Sequence, residues 1–127
     1  MSLILIVDDR SVIRRLIAIS LGPDYEILEA ENSAEALALI QSRHPQVVFL
    51  DVMMNGDMDG LQLLDVIKAD PLTRDILVAM VTGRGYVEES EDAFKRGADA
   101  FFNKPFGPHE LLTWMRAALP QHEKSTH

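Results

Sequence analysis

Leu3-Ile4-Leu5-Ile6-Val7-Asp8-Asp9 sets five apolar residues directly before two adjacent acids near the start of the chain. Five apolar side chains are too few for a helix, and they suit a strand covered on both faces. Four more short runs follow: Tyr25 to Ala30, Val47 to Leu50, Ile76 to Val81 and Ala100 to Phe102. Longer segments of helical period separate them, so the chain reads as repeated strand–helix units around a parallel sheet. Tyr25 to Ala30 carries two glutamates and belongs at an edge.

The helical segments are marked by apolar spacing and end signals. Val12, Ile13, Leu16 and Ile17 form the stripe of helix one, which stops at Gly22-Pro23. Asn32 with Glu35 has the form of a capping box opening helix two, with Ala36, Leu37 and Ile40 inward and His44-Pro45 closing it. Leu61, Leu64 and Ile67 mark helix three. Pro108 opens helix five, which carries Leu111, Leu112, Met115 and Leu119. Helix four, about Val87 to Arg96, is the weakest, because Glu88, Glu89, Glu91 and Asp92 load its start with acid and leave mainly Val87, Ala93 and Phe94 to bury. The expected fold is a flavodoxin-like (βα)5 doubly wound sandwich with strand order 2-1-3-4-5, in one domain over residues 1–120 with a polar tail at 121–127. Neither Met1-Ser2 nor the tail is expected to take part in the fold.

Composition narrows the function. A chain of 127 residues with 47% hydrophobic content suffices for one core. A net charge of −8 disfavours direct nucleic-acid contact. The absence of cysteine removes disulfides and thiol chemistry, and it suits a cytoplasmic setting. No apolar run approaches the ~18 residues of a membrane span.

Sheets of this class bind ligands at the carboxyl ends of their strands, beside the point where strand order reverses. Those ends carry Asp8 and Asp9 after strand one, Asp51 after strand three, Thr82 and Gly83 after strand four, and Lys104 and Pro105 after strand five. Taken singly, each has an ordinary role: an aspartate or Thr82 can cap a helix, and Asp51 can end a strand. Together they bring three carboxylates to one crevice, where like charges ~4 Å apart repel by a few kcal/mol. A hard divalent cation such as Mg²⁺, with Mn²⁺ as a possible substitute, gives that convergence a purpose. A carboxylate beside a metal and an ammonium can then act as nucleophile toward phosphorus.

These residues, at these intervals, resemble the signature of response-regulator receiver domains. The likeness runs from about Leu3 to Leu119 and includes Gly97-Ala98-Asp99-Ala100-Phe101-Phe102-Asn103-Lys104-Pro105-Phe106. The resemblance implies that Asp51 is the phosphoacceptor. It also implies that Asp9, Asp51 and the Met53 backbone carbonyl hold Mg²⁺, with Asp8 acting largely through water. Lys104, Thr82 and Gly83 contact the phosphoryl group, and Thr82 and Phe101 form the switch. The Lys104–Pro105 peptide is cis, and helix four, strand five and helix five, with Phe102 and Trp114, make the output surface. Implied partners are a histidine kinase or histidine phosphotransfer protein, and a downstream target or attached output domain. Such a chain is no enzyme beyond catalysing its own phosphorylation and dephosphorylation.

Asp51 to Gly60 departs from the family's D-x-x-M-P-x-M-D-G run: Asn55 replaces proline and one residue is added, so a longer, freer loop is expected. Met53, and Arg84 two residues past Thr82, line the route of attacking water in the family. Other readings fit less well. A haloacid-dehalogenase-type phosphohydrolase needs a D-x-D after strand one, and Asp8 is followed by Asp9 and Arg10. A calcium loop needs Glu where Gln62 stands. His44, His109, His122 and His127 lack metal spacing, and Met53, Met54, Met58 and Met80 read as core or loop filler. Gly83-Arg84-Gly85 is too short for a nucleotide fingerprint. A docking module that has lost phosphorylation is the remaining alternative, against which the intact acids, Thr82 and Lys104 argue.

Overall fold

A computed structural model describes residues 2–54, 56–83, 87–107 and 109–119, and of Val87 only the backbone. Asn55, Arg84, Gly85, Pro108, His122, His127 and the rest of the tail lie outside the described residues. The elements alternate as β1 (Ser2–Val7), α1 (Ser11–Leu21), β2 (Tyr25–Ala30), α2 (Ser33–Arg43), β3 (Val47–Asp51), α3 (Gly60–Ala69), β4 (Leu77–Thr82), α4 (Val87–Lys95), β5 (Ala100–Asn103) and α5 (Glu110–Ala118). Ser2 belongs to β1 after all, buried and in register with Tyr25. No helix among the described residues is long and apolar enough to cross a membrane.

All five strands are parallel, in the order β2-β1-β3-β4-β5, with β2 at an edge. Successive side chains leave a strand on opposite faces, so each buried strand feeds two cores. Leu5, Val7, Val48, Leu50, Val78 and Met80 meet Ala36 and Ile40 of α2, Leu63, Leu64 and Ile67 of α3, and Ala93 of α4. Ile4, Ile6, Val47, Phe49, Ala79 and Val81 meet Ile17 and Leu21 of α1 and Leu111, Met115 and Leu119 around α5. That split explains the near-continuous apolar runs, because β1, β3 and β4 have a hydrophobic layer on each face for successive side chains to enter.

The helix stripes are partly displaced from expectation. In α1 the buried pair is Ile17 and Leu21, while Val12 and Leu16 are 74% and 49% exposed and Ile19 is 69% exposed. Ile13 packs with Ile17 and Leu21 on the face that meets the sheet, while Val12, Leu16 and Ile19 line the opposite, outward face. Phe94 of α4 is likewise 50% exposed, and Ala93 alone of that expected pair is fully buried. The Asn32 cap accepts from Glu35 N–H at 2.9 Å, but Glu35 reaches back to Glu31 N–H rather than to Asn32, so that box is half formed. A complete box opens α3, where Asp59 and Gln62 each accept the other's backbone N–H at 2.9 Å.

One clamp closes the sheet end opposite the crevice. The Lys68 ammonium donates to the carbonyls of Arg74 and Ile76 and to the Asp99 carboxylate, which also accepts from Val78 N–H at 2.8 Å. It fastens α3, the approach to β4 and the approach to β5.

Candidate functional site

Each strand delivers its last residues to the same edge. Asp51 ends β3 in register with Val81, Thr82 ends β4 in register with Asn103, and Asp8 and Lys104 follow β1 and β5 directly. Because the register is parallel and nearly level, four sequence-distant side chains meet without any loop having to reach. Carboxylate oxygens of Asp8, Asp9 and Asp51 lie within 4.8 Å of one another. Asp8, Asp51 and Thr82 are buried, and Asp9 is the most open of the three acids. Asp9, Arg10, Asp51, Met53, Met54, Gly83 and Lys104 line a cleft of about 360 Å³.

Lys104 is the central cation. Its Nζ stands 3.0 Å from Asp8 Oδ2 and 3.5 Å from Asp51 Oδ1. Its backbone N–H donates to the Thr82 carbonyl at 2.6 Å, and the Lys104–Pro105 peptide is cis. Burial is the main cause that pushes the Asp51 carboxyl up from 3.8 to about 6, with the Asp8 charge adding to it. Lys104 and the Met53 N–H, which donates to Asp51 Oδ1 at 3.3 Å, pull the other way without cancelling the rise. Burial thus outweighs the ammonium beside Asp51, and the Arg10 guanidinium, 3.8 Å from Asp8 Oδ1, stands at the other acid. Three clustered carboxylates are also the hard oxygen donors that Mg²⁺ takes, so the residues present fit that ion.

The N-cap of α1 is Arg10, and Asp8 Oδ1 accepts the Arg10 N–H at 2.9 Å. Met53 is 52% exposed at the cleft, not core filler, whereas Met54 and Met80 are buried and Met58 packs against the core. Met54 and Met58 thus anchor the described part of the β3–α3 loop on the core. Phe101 is half-buried against the α2–α3–α4 layer, paired with Met80 across the ladder. Trp114 meets Phe49 and Phe102 edge-on, with centroids 5.9 Å and 6.0 Å apart.

Two contributors escaped the sequence reading. Gly60 donates its N–H to the Val52 carbonyl, and a Cβ there would stand 2.0 Å from the Asp51 carbonyl oxygen. Arg14 of α1 donates to the Asp8 carbonyl at 2.6 Å and to Glu29 at 2.8 Å. A glycine opening a capped helix is the only sequence signal for the first, and nothing but its place soon after the paired acids points to the second.

A parallel five-stranded sheet with three acids, a threonine and a lysine at its carboxyl edge defines a doubly wound α/β domain of the receiver type. The chain belongs to the response regulator receiver domain family, whose model matches residues 4–116. It is 42% identical over 117 residues to the phosphate regulon transcriptional regulatory protein PhoB of Pseudomonas aeruginosa, an alignment covering 91% of this chain and 51% of PhoB. It is 40% identical over 118 residues to the nitrogen assimilation regulatory protein NtrX of Azorhizobium caulinodans, covering 91% of this chain and 26% of NtrX. The chain therefore spans about half of PhoB and a quarter of NtrX. Among solved structures, the receiver domain of NtrX from Brucella abortus superposes with a TM-score of 0.85 at 39% identity, covering 92% of this chain and 98% of that one. The chemotaxis protein CheY4 of Vibrio cholerae gives 0.84 at 28% identity, over 92% and 98% of the two chains.

Proposed function

We propose that this receiver domain is a phosphorylation switch that accepts a phosphoryl group on Asp51 from a histidine kinase or histidine phosphotransfer protein. The observation that carries the reading is the convergence of Asp8, Asp9, Asp51 and Lys104 around a buried carboxyl whose own charge is under-compensated. An Asp51 oxygen attacks phosphorus, the bond from phosphorus to the donor nitrogen breaks, and the electron pair leaves with the imidazole. Lys104, freed from part of its pairing, turns its ammonium to a phosphoryl oxygen, and the Thr82 hydroxyl and Gly83 N–H donate to the others. Asp8, Asp9, Asp51 and the Met53 carbonyl would hold Mg²⁺, which when bound supplies the positive charge that offsets the phosphoryl oxygens.

The exposed outer face of α1 offers Val12, Leu16 and Ile19 to the donor protein. Thr82 and Phe101 relay the modified state to α4, β5 and α5, where a target protein or an attached output domain reads it. The chain's chemistry is limited to its own phosphorylation and dephosphorylation, in a cytoplasmic setting. PhoB is named a transcriptional regulator, so the absence of a nucleic-acid partner extends only to this acidic domain's own surface.

Incubation with acetyl phosphate, followed by intact mass, tests this. A phosphoryl-sized gain that needs Mg²⁺, vanishes with EDTA and is lost in Asp51→Asn is the expected result. A gain that persists in Asp51→Asn overturns the assignment.

A further inference from the structure

The Asp8–Asp9 pair is held from behind by a side chain that never enters the cleft. Arg14 lies in the first turn of α1, with only 14% of its side chain exposed. Its Nη1 donates to the Asp8 carbonyl at 2.6 Å and its Nε donates to Glu29 Oε1 at 2.8 Å. Glu29 belongs to the edge strand β2, so the guanidinium is fixed at both ends and bridges β2 to the end of β1. A planar fork of donors suits that double engagement, and it loses little freedom on making it.

The Asp8 carbonyl is half of the peptide unit that leads into Asp9. Peptide planarity means that fixing this oxygen fixes the plane, and with it the direction in which the Asp9 backbone leaves β1. Asp8 is pinned on its other sides as well: its N–H donates to the Ala30 carbonyl at 3.2 Å, and its carboxylate accepts from Arg10 N–H and Lys104. Asp9 is the most open of the three acids, so its aim depends most on the peptide behind it.

We propose that Arg14 is a positioning residue for the divalent-cation site, acting through the Asp8–Asp9 peptide with Glu29 as its brace. The inference rests on the metal-dependent reading of the crevice. Its sign is opposite to that of simple electrostatics. A cationic side chain near a metal site repels the ion, so removing it by charge alone tightens binding. Removing a positioning residue weakens binding, typically by tenfold or more for groups that orient a metal ligand.

The test is Mn²⁺ affinity from the loss of free-ion EPR signal, with Mg²⁺ measured by competition, on wild type, Asp9→Asn, Arg14→Met and Arg14→Lys, each checked by thermal melting. Wild type binds and Asp9→Asn binds far more weakly if the metal reading holds; absence of wild-type binding overturns that reading and this proposal together. Arg14→Met is expected to bind about tenfold more weakly. Arg14→Lys keeps the charge but cannot span both acceptors, and it is expected to bind severalfold more weakly. If Arg14→Met melts too early for use, Arg14→Lys decides alone. Affinity equal to or tighter than wild type in a folded Arg14 variant overturns the positioning role and leaves the metal site standing.

Discussion

Replacing Asp51 by asparagine removes the proposed phosphoacceptor, yet it is expected to make the metal-free protein more stable. The folded carboxyl titrates near 6 against an ordinary value of 3.8, because burial and the Asp8 charge both oppose its ionisation. A raised folded value means that the native state binds the proton more tightly than the unfolded chain does. The associated stability is complete below about pH 4 and is lost as pH rises through about 6. At pH 8 the ionised wild type lacks all of it, and a rise from 3.8 to about 6 is worth about 3 kcal/mol. An asparagine amide has no charge to bury and keeps an oxygen to accept from Met53 N–H. Urea titrations in EDTA, followed by circular dichroism, should place the Asp51→Asn midpoint about 1.5 M above wild type at pH 8, taking a slope of about 2 kcal/mol per M. The gap should close by pH 4, and added Mg²⁺ should narrow it at pH 8 by stabilising wild type. A gap that is absent at pH 8, or that does not change with pH, refutes the claim that the crevice strains Asp51.

Gly60→Ala should cost at least ~2 kcal/mol, since its methyl would meet backbone rather than a movable side chain, and a thermal melt should fall by roughly 5 °C or more. Val12→Ser combined with Leu16→Ser should leave the melt nearly unchanged, because both side chains already face outward. The same pair should slow phosphotransfer from the donor protein severalfold while leaving acetyl phosphate labelling at its wild-type rate.

Much of this molecule is legible in its sequence because buried parallel strands announce themselves. Leu3 to Val7, Val47 to Leu50 and Ile76 to Val81 are apolar at both parities, which only a sheet covered on two sides requires, and Asp8, Asp51 and Thr82 follow these runs without a gap. Where the reading slipped, the missing information was tertiary. Val12 and Leu16 have the right period for a core face, but so do Ile13, Ile17 and Leu21, and spacing cannot tell which of two apolar faces of α1 meets the sheet. Phe94 failed for the same reason beside the small, buried Ala93. Asn32 and Glu35 carry capping-box residues, yet a slight change of approach sent Glu35 to the neighbouring N–H. Asp59 and Gln62 completed the box instead, hidden in a loop whose length drew attention elsewhere. Arg14 and Gly60 act through backbone atoms of other residues, which no side-chain pattern encodes.

Trp114 gives the domain a built-in optical reporter. It is the sole tryptophan of the chain and stands edge-on between Phe49, two residues before Asp51, and Phe102, next to Phe101. Its emission therefore samples both the strand that bears the acid and the strand that bears the aromatic pair. A shift in that emission on addition of metal or donor would time the passage of a signal between them, with no label attached.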